Sequence, residues 1–215
     1  MKQEIIKRIL SSIIIIPIAL FFIIKGSFFF IFFMSIFFLV TAYEWFRMSK
    51  KKKYLYPGLI FLFFSTYSAY LFRGSDNDVN LLLFLFVILT CVATDIGGYI
   101  FGKIFKGPKL TKISPNKTYA GMLGGFFLSI ISVNIFLNYS SSLGFSIIEF
   151  TQRVFIMVLL ISSVSQIGDL SLSYFKRISK IKNTGKILPG HGGLLDRVDG
   201  LIFAIPFAYI LFKFI

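Results

Sequence analysis

Seven apolar segments divide the sequence, near residues 9–24, 27–43, 57–72, 81–101, 119–137, 151–174 and 199–214. An α-helix needs about 20 mostly apolar residues to cross the roughly 30 Å of hydrocarbon in a bilayer, and the segments approach or exceed that length. A backbone surrounded by lipid must satisfy its own hydrogen bonds, so such segments form helices. The pattern predicts an all-α, polytopic integral membrane bundle of about seven transmembrane helices, forming a single membrane domain over residues 1–215.

The composition supports this class and argues against two others. Hydrophobic residues make up 56% of the chain, including 29 phenylalanines, which is outside the range of soluble domains. The one cysteine, Cys91, excludes an intrachain disulfide. The net charge of +14 resembles that of nucleic-acid-binding proteins, but the basic residues lie in short loops between apolar segments, where they face lipid headgroups. We therefore expect the bilayer as a partner, and no nucleic acid.

The basic residues also predict the orientation. With a cytoplasmic N-terminus, 19 of the 23 Lys and Arg residues fall on the cytoplasmic side, as the positive-inside rule requires. We expect a multi-pass protein of the inner (cytoplasmic) membrane whose active site faces the cytoplasm. Residues 1–80 would supply N-terminal transmembrane helices, and residues 81–215 a catalytic region with two cytoplasmic loops, at about 102–118 and 176–197.

The sixth segment carries a row of polar side chains at steps of four, three, four and three: Ser162, Gln166, Asp169, Ser173 and Lys176. This spacing places them on one face of a helix. A carboxylate at the bilayer centre costs about 2.5–3.5 kcal/mol on insertion scales, so Asp169 should face a protein interior or a wet cavity. It should also have a cationic partner, either a metal ion or a basic side chain.

A glycine-rich stretch connects the sixth and seventh segments. Its glycines let backbone N–H groups approach an anion, and its cations add positive charge, as a phosphate site needs: Lys182, Gly185, Lys186, Gly190, Gly192, Gly193 and Arg197. Asp196 and Asp199 follow, three residues apart, at the predicted start of the seventh span. They either cap that helix or bind a ligand. The sequence favours a ligand role for Asp196 and leaves both roles equal for Asp199.

The loop after the fourth segment contains features that topology alone does not require. They are Asp95 at the end of the span, together with Ser114 and Lys117 in the turn Ser-Pro-Asn-Lys-Thr. We interpret these three residues as substrate-binding. Four glycines nearby have the spacing of close helix packing: Gly98, Gly102, Gly121 and Gly125.

The stretch "SYFKRISKIKNTGKILPGHGGLLDRVD" resembles the signature of the phosphatidate cytidylyltransferases, or CDP-diacylglycerol synthases. The upstream stretches "GDLSLS" and "FGKIFKGPKLTKISPNKTYAG" are also similar to blocks of that family, so the likeness covers roughly residues 95–199. Three positions depart from the pattern: Asn183 replaces the usual Asp, Ala120 replaces a frequent Glu, and Gly200 replaces a common Ser. We expect Asn183 to affect efficiency more than the chemistry itself.

The resemblance implies a transferase that joins CTP and phosphatidic acid to give CDP-diacylglycerol and pyrophosphate. It implies Mg²⁺, alone or with a monovalent cation, held by Asp169 and Asp196. Phosphate charge would be neutralised by Lys176, Arg177, Lys182 and Arg197. His191 would bind phosphate or assist pyrophosphate release. The remaining expected substrate contacts are Asp95, Ser114, Lys117, Ser173, Gly192, Gly193 and Asp199.

Three questions stay open at this point. A CTP-dependent transferase acting on another lipid phosphate, for example an isoprenoid-ether type, would carry similar groups. An ion or lipid transporter could line a path with Asp95 and Asp169, although the acids cluster at one membrane face. A homodimer is neither required nor excluded by the sequence.

Overall fold

A computed structural model describes residues 2–74, 78–142, 149–185, 187 and 192–214, with side chains from residue 13 onward. Within these residues, seven α-helices follow one another: α1 (Lys2–Lys25), α2 (Ser27–Ser49), α3 (Leu55–Arg73), α4 (Asp78–Phe105), α5 (Tyr119–Ser142), α6 (Gln152–Ile178) and α7 (Leu201–Lys213). A short 3-10 turn, Leu195–Arg197, precedes α7. The predicted all-helical architecture is confirmed.

Five helices, α2 to α6, are long and apolar enough to cross a membrane within the described ranges. The apolar part of α1, Ile13–Lys25, and the 13-residue α7 are shorter, and α7 spans only about 20 Å at 1.5 Å per residue. Large apolar side chains such as Phe28 and Ile60 lie on the outside of the bundle, where lipid would cover them. The chain is therefore a multi-pass membrane protein.

The helices pack around two apolar clusters. The larger cluster joins α2, α3, α4, α5, α6 and α7 through buried side chains such as Phe30, Phe86, Val133, Val158 and Ala208. The smaller cluster lies near the glycine-rich segment and includes Trp45, Leu172, Leu195 and Ile202. It packs the 3-10 turn against α2 and α6, so the polar connection between α6 and α7 is attached to the hydrophobic core.

Glycines let α4 and α5 lie in close contact. A Cβ built on Gly121 would lie 2.7 Å from the carbonyl oxygen of Gly98, and one on Gly125 would lie 2.9 Å from that of Thr94. Only a residue without a side chain fits at such separations, which confirms the packing role predicted for Gly121 and Gly125. The close contact brings the end of α4 and the start of α5 to one side of the bundle.

Two boundaries differ from the sequence prediction. Helices α4 and α6 continue to Phe105 and Ile178, so both polar connections are shorter than expected and Asp95 lies well inside α4. Asp196 does not belong to the seventh span, because it lies in the 3-10 turn and α7 begins at Leu201. The turn ends at Val198, whose φ of −121° and ψ of 12° lie outside the helical region.

A buried arginine secures the opposite end of the bundle. Arg73, in the last turn of α3, is 3% exposed and donates hydrogen bonds to the carbonyl oxygens of Ile23 at 2.8 Å and Ile24 at 3.1 Å. These carbonyls lie in the last turn of α1, where helix carbonyls lack partners within the helix and the dipole favours a cation. Arg73 thus attaches α1 to α3.

Candidate functional site

A cleft of about 400 Å³ opens at the end of the bundle where α4 and α6 end and α5 and α7 begin. We call it the polar cleft. Of the predicted site residues, seven line it: Asp95, Ser114, Lys117, Asp169, Asp196, Arg197 and Asp199. The helix packing therefore brings together acids and cations from four separate stretches of the sequence.

The polar face of α6 points toward the cleft and its neighbours, as its spacing predicts. Ser162 accepts a 2.8 Å hydrogen bond from Thr94 of α4, and Ser173 donates to Asp169 at 3.4 Å. Asp169 forms an ion pair with Lys117, which confirms the predicted cationic partner. Lys176, one turn beyond Ser173, pairs with Asp196 at 2.9 Å.

The turn before α5 positions Lys117. The N–H of Lys117 donates to the carbonyl of Ser114 at 3.0 Å, and the N–H of Leu110 donates to the carbonyl of Lys117 at 2.7 Å. Thr118 accepts a hydrogen bond from the N–H of Gly121 at 3.1 Å, as a residue that caps a helix N-terminus does. The predicted Ser-Pro-Asn-Lys-Thr turn is therefore a cap that directs a lysine at Asp169.

Three carboxyl groups share the cleft. Asp199 is 9% exposed, and it lines the cleft together with Asp169. Burial raises the pKa of Asp199 well above its usual range, and the nearby negative charge of Asp169 raises it further. Asp95 lines the same cleft from α4. Carboxylates that share a buried cleft repel one another, so a bound proton or a nearby cation stabilises the arrangement.

Asp196 is bound by other groups of the chain. Its Oδ1 accepts from Lys176 Nζ at 2.9 Å, and its Oδ2 accepts from the N–H groups of Thr184 at 2.8 Å and Gly193 at 3.1 Å. Asp196 therefore faces the cleft while also fixing the glycine-rich segment. The pairing of Asp169 with Asp196 around a metal ion stays a prediction, because the two acids form ion pairs with different lysines.

Sequence reasoning missed Glu44 of α2. This residue is 1% exposed, and its two oxygens accept hydrogen bonds from Thr184, Leu194 and Leu195. A signal was present, because Glu44 is the one acid between residues 5 and 75 and lies within an apolar segment. An ionisable residue in such a segment is by default a candidate for function.

The other predicted residues lie around the cleft or outside the described ranges. Arg177 is exposed and donates a 3.4 Å hydrogen bond to the carbonyl of Ile113, and Lys182 is exposed near the start of the glycine-rich segment. Gly192 has a φ of +92°, which favours glycine, and Gly193 is buried. His191 and Lys186 lie outside the described residues.

The departures from the signature occupy different environments. Asn183 is exposed, and a Cβ built on Gly192 would lie 3.4 Å from its side chain. Gly200 is buried directly against Ser165 of α6. Ala120 is half-buried in the first turn of α5. A serine at position 200 would collide with Ser165, so lack of space explains why glycine occupies this position.

Comparison with known proteins identifies the family of the chain. The model of the cytidylyltransferase family matches residues 6–76 and 60–215. A protein of Brucella suis biovar 1 named phosphatidate cytidylyltransferase is 39% identical over 155 residues, which are 71% of this chain and 54% of that protein. One of the same name from Staphylococcus aureus strain COL is 38% identical over 160 residues, 73% of this chain and 55% of that protein.

The chain thus spans about half the length of the curated relatives that it matches. The matched regions contain all the elements that build the polar cleft, from α4 to the start of α7. Because the family model covers more than half of the sequence, the chain belongs to the cytidylyltransferase family.

Proposed function

We propose that the chain transfers the cytidylyl group of CTP to phosphatidic acid, releasing pyrophosphate and forming CDP-diacylglycerol. The observation that carries this proposal is the polar cleft, where Lys117, Arg197 and several carboxyls meet at one end of an apolar helical bundle. A lipid phosphate stays at the membrane surface and a nucleotide arrives from water, so a polar cleft at a bundle end suits both. The names of the relatives support the same reaction.

The site faces the cytoplasm in this proposal, and the protein resides in the cytoplasmic membrane. The support is the charge distribution, since the ends of α2, α4 and α6 that lie near the cleft are followed by the lysine-rich connections. Such connections are retained on the cytoplasmic side. Cytoplasmic CTP would then have direct access to the cleft.

The reaction requires little proton transfer from the protein. An oxygen of the lipid phosphate attacks the α-phosphorus of CTP, the new P–O bond forms, and the α–β P–O bond breaks with its electron pair leaving on pyrophosphate. A phosphomonoester has a second pKa near ~6, so the attacking group is already largely ionised at neutral pH. The work left to the protein is positioning and charge neutralisation.

Cations of the cleft suit that work. Lys117 and Lys176 each pair with an acid, Asp169 and Asp196, so they are held in place before substrate arrives. Arg197 lines the cleft and can bind two phosphate oxygens with its planar guanidinium. We assign these three residues to the phosphates, while Arg177, Lys182 and His191 stay predictions for the same role.

The acids fit Mg²⁺ that binds together with the nucleotide. In the ranges that the structure describes, no three His, Cys, Asp or Glu side chains are arranged to hold a metal ion. Mg²⁺ is commonly held by one or two carboxylates plus substrate phosphates, with water completing the shell. Asp169 is the best-placed ligand, with Asp196 or Asp199 as the second. When bound, the ion would supply positive charge beside the phosphates.

An ion path is less consistent with the fold. The polar face of α6 ends at Ser162, and the next helical turns bury Ile161, Val158 and Val154 in the larger apolar cluster. Within the described residues, the groups that line the cleft lie at one end of the bundle. A chain of polar groups across the bilayer would be needed for conduction.

The proposal is tested by incubating the purified protein with CTP, Mg²⁺ and phosphatidic acid in detergent or liposomes. We expect CDP-diacylglycerol and pyrophosphate in equal amounts. A parallel series with isoprenoid-ether and other lipid phosphates identifies the preferred acceptor. Product with another lipid phosphate and none with phosphatidic acid would contradict the substrate assignment, and no nucleotide transfer to any lipid would contradict the function.

The metal assignment is tested with Asp169→Asn, Asp196→Asn, Asp199→Asn and the Asp169→Asn/Asp196→Asn double variant. If Asp169 and Asp196 act as one metal site, the double variant should be hardly worse than either single variant. Asp199→Asn should then keep the wild-type requirement for Mg²⁺. A higher Mg²⁺ requirement in Asp199→Asn, with an unchanged one in Asp196→Asn, would identify Asp199 as the second ligand instead.

A further inference from the structure

We propose that Glu44 is the positioning residue of the glycine-rich segment: its buried carboxylate holds the segment so that Arg197 is correctly placed in the polar cleft. The inference rests on the proposed function for its kinetic consequence. Its structural part stands on contacts between α2 and the segment, which are separated by about 140 to 150 residues in sequence.

Three donors converge on this carboxylate. Oε2 accepts from the hydroxyl of Thr184 at 3.0 Å and from the N–H of Leu195 at 2.8 Å, and Oε1 accepts from the N–H of Leu194 at 2.9 Å. All three are donors, as an ionised carboxylate requires. Because Glu44 is 1% exposed, water cannot replace a lost partner, and each contact is costly to remove.

Two glycines make room for the carboxylate. A Cβ built on Gly185 would lie 2.5 Å from Oε1, and one built on Gly193 would lie 2.5 Å from Oε2. Any side chain at either position would displace Glu44 or the segment. These glycines therefore enclose an internal carboxylate, whereas the sequence alone suggested that they open the backbone to a phosphate.

The contacts of Glu44 extend to the cleft through Asp196. Thr184 gives its hydroxyl to Glu44 and its N–H to Asp196, so one residue connects the two carboxylates. Leu194 and Leu195 give their N–H groups to Glu44 at the start of the 3-10 turn that carries Asp196 and Arg197. Fixing the start of a three-residue turn fixes the direction of its last residue, Arg197.

Glu44 does not line the cleft, so it touches no substrate there. Glu44 would therefore affect turnover only by changing the position of the glycine-rich segment. A loss of stability alone lowers the fraction of active enzyme and so the apparent kcat, but it leaves the KM of the remaining enzyme unchanged. A misplaced Arg197 weakens CTP binding, which raises the KM.

The test uses Glu44→Gln and Thr184→Val in the full-length protein, with Thr41→Val as the matched control. Thr41 lies one turn before Glu44 on α2, is equally buried, and donates its hydroxyl only to carbonyls of its own helix. Amide hydrogen exchange is measured at Leu194 and Leu195, and kcat and KM are measured for CTP. Thr184→Val leaves the carboxylate intact and carries the test if Glu44→Gln does not fold.

We expect Glu44→Gln to speed the exchange of at least one of the two amides about tenfold, because Gln keeps one accepting oxygen while its NH₂ group cannot accept the other N–H. Exchange in α4 and α5 should stay unchanged. The KM for CTP should rise about tenfold, and Thr184→Val should act in the same direction with a smaller effect. Thr41→Val should change none of these values.

Unchanged exchange in both variants would overturn the proposal, as would faster exchange with an unchanged KM. If the wild-type protein made no CDP-diacylglycerol, the proposed function would fail, and the exchange data alone would then decide whether Glu44 holds the segment. The two failures are therefore distinguishable.

Discussion

At position 200 the chain has glycine where the family signature commonly has serine. The structure predicts that a side chain restored there lowers the stability of the protein measurably. The φ of −72° and ψ of −42° of Gly200 suit any residue, so a substitution there causes no backbone strain. A Cβ at Gly200 would overlap the hydroxyl oxygen of Ser165 and lie 3.1 Å from the carbonyl oxygen of Ser165. The cost of Gly200→Ala is therefore steric.

Overpacking a buried site costs about 1–3 kcal/mol. For a chain of this size, each kcal/mol corresponds to about 2–4 °C, so Gly200→Ala should lower the melting temperature in detergent by about 2–12 °C. Gly98→Ala is the matched control, since a Cβ there lies 3.7 Å from its nearest neighbour, the carbonyl oxygen of Gly121. That variant should melt at or above the wild-type temperature, because the new methyl group fits and Ala in a helix is favoured over Gly.

Removing the hydroxyl tests the cause. Ser165→Ala deletes the overlapping atom and leaves the Ser165 Cβ at 3.4 Å from the new methyl group, an ordinary contact. The double variant Gly200→Ala/Ser165→Ala should therefore recover most of the lost stability, which is a non-additive result expected only for residues in contact. A Gly200→Ala protein as stable as wild type, or a double variant no better than Gly200→Ala, would refute the steric reasoning.

Arg73→Ala should lower the melting temperature by about 5 °C or more, because it removes the two hydrogen bonds that the buried arginine donates to α1. Arg73→Lys should recover only part of this loss, because Lys cannot make both contacts in the same geometry. Asn183→Asp should change turnover less than about tenfold, because Asn keeps the shape and one acceptor; a rise of several orders of magnitude would show that this chain lacks a needed charge. Cysteines introduced at the exposed positions Lys109 and Lys182 should react with an impermeant thiol reagent only from the cytoplasmic side, and labelling from outside would overturn the orientation.

The architecture was predictable because lipid imposes a simple rule. A long apolar segment must form a helix, and each of the seven predicted segments coincides with a helix of the described residues. The row of polar residues on α6 was also predictable, since a 3.6-residue period fixes which side chains share a face. The sequence also predicts a cationic partner for Asp169, and the ion pair with Lys117 confirms it.

Other features depend on contacts that no local pattern reveals. Glu44 binds residues far along the chain, so only the packed helices show why a lone acid lies in an apolar segment. The glycines at 185 and 193 were interpreted as phosphate-binding because glycine-rich turns look alike in sequence whether they surround an external anion or an internal carboxylate. Asp196 was assigned to α7 because a 3-10 turn and a helix start share the same signals.

The central claim is that the acids and cations around Asp169 carry out cytidylyl transfer. The most direct measurement compares CTP-dependent formation of CDP-diacylglycerol by wild type, Asp169→Asn and Ser171→Ala, each shown to be folded and membrane-inserted. Ser171 lies on the exposed side of α6 and donates only to the carbonyl of Ile167, so Ser171→Ala should retain wild-type turnover. Asp169→Asn should lose at least about a hundredfold, as expected for a charged group at the reacting phosphates. Turnover by Asp169→Asn within about threefold of wild type would contradict the account.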